Sequence, residues 1–180
     1  MGSSAKRGSA IGSESGARRP ALYSAEERRR RDASGWTLVQ GVLAPVQFLV
    51  FLVSLGLVLR FLATGAGYEL AVWSIVLKTL TLYTIMVTGC LWEKDVYGVY
   101  LFAPAFFWED MFSMLVLGLH TAYLVALATG WLAAQPLMLL ALAAYAAYVI
   151  NATQFLLKLR AARLDQAREP TPHAARELAA

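Results

Sequence analysis

Two adjacent carboxylates, Glu109 and Asp110, stand in "FFWEDMFS", inside one of the most apolar stretches of the chain. "YLFAPA" precedes them and "MLVLGLHTAYLVALA" follows. Hydrocarbon disfavours a charged carboxyl, and a second carboxylate beside it does so again, so an apolar acid pair can keep one proton near neutral pH. That is the equipment of a general acid with an anion next to it. Four more polar groups interrupt apolar runs: Gln47, Lys78, His120 and Asn151. In a helix, Glu109, Ser113, Val116 and His120 share a face at offsets of four, seven and eleven, and Asp110 turns about 100° from Glu109.

Each group also has a plainer reading. Gln and Asn bond across helices as glue, as Gln40 and Gln154 would. Lys78 snorkels. His120 bonds a neighbouring carbonyl. Glu109 and Asp110 form an interfacial pair if their helix starts late. The apolar "YLFAPAFF" before them argues against a loop there.

The elements that must position these groups are apolar helices. The 180 residues are 58% hydrophobic and 16% charged, against about a quarter charged in soluble domains. Four runs reach the roughly 20 residues that a bilayer-spanning helix needs: about 36–62, 70–91, 100–128 and 136–157. None alternates polar and apolar residues, which excludes a closed barrel. The pattern predicts an all-α membrane protein, a bundle of four transmembrane helices. Residues 1–34 form a basic, disordered tail with a short helix near "SAEERRRRD"; 35–160 form the transmembrane domain; 161–180 form a second charged, disordered tail. Pro45 predicts a kink in the first span, and Pro104 suits the first turn of the third.

Lys and Arg near the helix ends set orientation. Arg28, Arg29, Arg30 and Arg31 precede the first span; Lys158, Arg160 and Arg163 follow the fourth; the middle loop "WEKDVYG" (92–98) carries Lys94. The loops "TGAGYE" and "TGWLAAQ" carry neither. Both termini are therefore expected on the cytoplasmic side. On this topology Glu109 and Asp110 lie roughly 12 Å into the bilayer, Asn151 roughly 10 Å and Gln47 roughly 15 Å, all in the cytoplasmic half.

Several functions are excluded. The lone Cys90 permits no internal disulfide and no cysteine metal cluster. The basic residues flank apolar runs and line no face, so no nucleic-acid partner is expected. The sequon at Asn151 falls inside a span. What remains is a bundle with an acidic pocket open to the cytoplasmic leaflet. It suits an enzyme acting on a lipophilic substrate, a proton-coupled carrier or a structural subunit.

From Tyr23 to Leu164 the chain resembles the vinyl bacteriochlorophyllide hydratases of phototrophic bacteria. The likeness runs through "EERRRRDASGWTLVQGVLAPVQFLVF", "LKTLTLYTIMVTGCLWEKDVYGVYLFAPAFFWEDMFSMLVLGLHTAYL" and "NATQFLLKLRAARL". It implies addition of water to the C3 vinyl group of a chlorophyllide-type magnesium macrocycle, giving a 1-hydroxyethyl group, in an enzyme of the bacterial inner (intracytoplasmic) membrane. The implied partners are that macrocycle, the lipid bilayer and other enzymes of bacteriochlorophyll synthesis. The alternative within the same setting is a non-enzymatic pigment-binding subunit.

Hydration of a ring vinyl begins with a proton on its terminal carbon. The cation at the ring-attached carbon spreads into the macrocycle, and water attacks it. No cofactor is required. On this chemistry Glu109 is expected to be the protonated acid, with Asp110 ionised to stabilise the cation and orient water, helped by Asn151 or Gln47. His120 is the candidate axial ligand to the substrate's magnesium. Lys78 either meets the substrate's propionate or, preferably, balances Glu109.

Overall fold

Ser24 opens the first helix. Its hydroxyl accepts from the Glu27 N–H at 3.2 Å, and the Glu27 carboxylate accepts from the Ser24 N–H at 2.7 Å. This reciprocal capping box satisfies two amide donors that a helix start leaves open. The computed structural model describes residues 22–168. They form five helices: α1 (Ala25–Ala33), α2 (Gly35–Thr64), α3 (Tyr68–Tyr97), α4 (Phe107–Thr129) and α5 (Ala134–Arg168). α1 is the short charged helix expected before the first span. The expected disorder of 1–21 and 169–180 lies outside the described residues.

α2 to α5 are each long and apolar enough to cross a membrane. Leu49, Val53, Leu77, Leu115 and Val149 point outward, as lipid-facing residues do. α2 packs chiefly on α3, and α4 on α5, so the bundle is two helical hairpins that meet more sparingly along α2–α5 and α3–α4. Phe51, Val58, Ile75, Val116, Tyr123, Met138 and Tyr145 belong to the main core between them. Small residues such as Ala71 and Ala141, both fully buried, let backbones approach where no hydrophobic drive exists between helices.

The middle loop differs from expectation. α3 does not stop near Leu91; it continues to Tyr97 and ends on Gly98 at φ 81°, a left-handed cap that suits glycine. The connection is 98–106, and α4 starts at Phe107. Pro104 therefore lies in the turn before α4 and not in its first turn. The loop is apolar because it packs. Ala103 and Phe106 are buried, and Phe106 joins Tyr23, Val96, Trp92, Tyr97 and Phe155 in a second cluster. That cluster draws on the chain before α2, the end of α3, the start of α4 and the late part of α5, so these all share one end of the bundle. α5 also runs through 161–168, past the expected boundary of the transmembrane domain. Pro45 sits inside α2, where it removes one backbone donor.

Candidate active site

α4 begins with two acids because its first turn leaves backbone N–H groups unpaired and positive, which favours carboxylates there. Glu109 and Asp110 are both buried. They were expected roughly 12 Å inside a helix entering near Leu101. With the start at Phe107 they instead occupy the first turn, under the folded apolar loop.

The two side chains diverge, as adjacent helix positions must. Glu109 turns to α5, where its Oε2 receives the Lys158 ammonium at 2.6 Å. Asp110 turns to α3 and hydrogen-bonds the carboxyl of Glu93, which is also buried. Two carboxyl groups in such contact are able to share one proton, since a carboxylate can only accept. The loop backbone completes the pair. The Phe102 N–H donates to Asp110 Oδ2 at 2.8 Å and the Ala103 N–H to Glu93 Oε2 at 3.3 Å. Phe102 holds φ 60°, a strained left-handed conformation for a non-glycine residue. One turn further along α4, Ser113 Oγ accepts from Asn151 Nδ2 at 2.8 Å. Asn151 Oδ1 is buried with no partner among the described residues, as are Gln47 Oε1 and Gln154 Oε1.

A second polar layer lies deeper. His120 is fully buried, with Nδ1 2.8 Å from the carbonyl of Val116. A carbonyl only accepts, so Nδ1 carries the hydrogen and Nε2 keeps a bare lone pair. That Nε2 has no partner among the described residues. A backbone carbonyl on one imidazole nitrogen with a free lone pair on the other is the usual arrangement of a metal-ligating histidine. Lys78 is fully buried with its ammonium unpartnered, 4.0 Å over the ring of Tyr148. One turn away on α5, Tyr145 faces His120 at 5.9 Å and hydrogen-bonds Ser54 of α2 at 2.5 Å.

The expected residues thus fall into two layers: Glu109, Asp110 and Asn151 near one end, Lys78 and His120 further in. Gln47 is buried on α2. Lys78 does not balance Glu109; Lys158 does. Gln40 is interhelical glue, bonding Thr88 Oγ1 at 2.7 Å. Sequence reasoning undervalued Glu93, which it set in a loop, and Lys158, which it read only as an orientation signal. Glu93 had a signal: it stands eleven residues after the buried Leu82, on the same helix face.

The family model for 2-vinyl bacteriochlorophyllide hydratase matches residues 23–161. A "2-vinyl bacteriochlorophyllide hydratase" of Rhodobacter capsulatus is 68% identical over 154 residues, covering 84% of this chain and 88% of the relative. A protein of the same name from Cereibacter sphaeroides is 68% identical over 147 residues, covering 80% of this chain and 89% of the relative. No solved structure matches. With the match running from α1 well into α5 and over both polar layers, the chain belongs to the 2-vinyl bacteriochlorophyllide hydratase family.

Proposed function

We propose that this chain, a multi-pass membrane hydratase of bacteriochlorophyll biosynthesis, adds water to the ring vinyl of a chlorophyllide-type pigment by proton transfer from the Glu93–Asp110 pair. The observation that carries this reading is the contact of two buried carboxyls, Glu93 and Asp110, on neighbouring helices. Addition across a vinyl needs a carbon acid–base step and no change of oxidation state, and a proton-sharing pair supplies that step.

The proton passes from the pair to the terminal vinyl carbon as the C–H bond forms. The electron pair of the double bond makes that bond, and the positive charge left on the ring-attached carbon spreads into the macrocycle. The pair, now carrying one more negative charge, stabilises the cation electrostatically. Water attacks the cationic carbon, oriented by Asn151 Oδ1, whose amide is fixed by Ser113, with Gln47 as a second acceptor. That water gives its surplus proton back to the carboxyl pair, and the site is restored. Glu109 is tied to Lys158 as an ion pair, which suits it to fixing α4 against α5 better than to donating a proton. His120 Nε2 is placed to take the magnesium of the substrate from one face.

Both termini are assigned to the cytoplasmic side of the bacterial inner membrane, with the carboxyl layer at that end. Other enzymes of bacteriochlorophyll synthesis are the partners that would hand on the pigment. Incubating membranes that contain the protein with chlorophyllide tests the reading. The expected product is heavier by one water. Pigment bound and recovered unchanged would make the protein a pigment-binding subunit instead.

A further inference from the structure

Lys78 is fully buried and its side-chain nitrogen meets no hydrogen-bond acceptor among the described residues. An ionisable group held this way within a span is costly and marks function by default. The ring of Tyr148 beneath it offers only a diffuse negative face. None of the carboxylates at the end layer is free to serve it. Glu109 is held by Lys158, and Glu93 and Asp110 by each other and by the loop N–H groups. Glu93 is also fifteen residues along α3 from Lys78, roughly 22 Å of rise, and Glu69 is nine residues the other way, roughly 13 Å. Among the described residues, then, no carboxylate serves Lys78 as a counter-charge.

We infer that Lys78 is the receptor for the propionate carboxylate of the macrocycle, and so selects the free-acid pigment over its ester. This rests on the hydratase reading above. Lys78 and His120 lie against Tyr148 and Tyr145, one helical turn apart on the same face of α5, so the two unpartnered nitrogens belong to one buried layer. A macrocycle with its magnesium on His120 places a ring-borne propionate within reach of a lysine beside that region. The vinyl is borne on the pyrrole ring next to the one that carries the propionate, and in this pose it points toward the carboxyl layer. Asp110 is ten residues from His120 along α4, roughly 15 Å of rise, and the His120 side chain leans toward that end, as helical side chains lean toward their own N-terminus. One bound pose thus joins the two layers: metal and propionate deep, vinyl at the acids. An ester in place of the propionate would leave the ammonium buried without a counter-charge.

The test is a spectral titration of purified protein with chlorophyllide and with its propionate methyl ester. The wild type should bind the free acid at least about tenfold more tightly, the scale of one desolvated charge pair. Lys78→Met should abolish that preference, and Lys78→Arg should retain it. Equal affinity of the wild type for acid and ester overturns the inference, as does a folded Lys78→Met protein that keeps the preference. If Lys78→Met does not fold, the wild-type comparison decides alone. Failure of the hydratase reading has its own signature, the absence of a water adduct with either pigment.

Discussion

The Lys158 ammonium lies 2.6 Å from Glu109 Oε2 and joins the late part of α5 to the first turn of α4. The pair is partly screened, with the Lys158 side chain 26% exposed and that of Glu109 10%. Breaking a fully buried pair costs about 3–5 kcal/mol and an exposed one under about 1 kcal/mol, so Lys158→Met should destabilise by roughly 2 kcal/mol. Glu109→Gln should cost a similar amount. The double variant should cost clearly less than the sum, because both changes remove one interaction. Equilibrium unfolding in detergent measures all three, and strictly additive losses would show that the contact carries no energy.

Much of this layout is legible in the sequence. Runs of about 20 apolar residues have few structural outlets, so four spans follow from composition and length. Polar residues inside such runs point inward, which is why Asp110, Asn151, Lys78 and His120 could be picked out singly. Their partners could not. Asn151 meets Ser113 across 38 residues, and Lys158 meets Glu109 across 49. Such pairings depend on helix rotation, which an almost uniformly apolar helix does not encode. The misplaced start of α4 has a different cause. "YLFAPAFF" is as apolar as a span, but its side chains pack into the end cluster while the acids bind its backbone N–H groups. Composition registers burial and is blind to whether a helix or a folded loop does the burying.

The end cluster brings residues near both ends of the described chain to the same end of the bundle. With an even number of spans, cysteines placed at Glu26 and at Arg163, in a Cys90→Ala background, should be labelled by a membrane-impermeant thiol reagent from the cytoplasmic side only. Labelling of the two positions from opposite sides would rule out four spans.

His120 offers a buried Nε2 that no described residue engages. His120→Leu should weaken binding of magnesium chlorophyllide by about 10-fold or more, the scale seen when metal-site contacts are lost. The magnesium-free pigment should bind the variant and the parent alike. Absorbance titration of both pigments separates the two cases. An equal loss for both would assign His120 to packing.

The chemistry itself turns on which carboxyl gives up its proton, and the hydration rate of purified, folded variants reads this out. Glu93→Gln and Asp110→Asn each leave shape and hydrogen bonding nearly intact and remove the shared proton. Each should slow water addition by about 100-fold or more, the usual scale for a general acid. Glu109→Gln, lying outside the proton-sharing pair, should stay within about tenfold of the parent once its loss of stability is allowed for. Parent-like hydration by Asp110→Asn and Glu93→Gln, with the large loss falling on Glu109→Gln, would contradict the assignment and make the Lys158-bound carboxyl the acid.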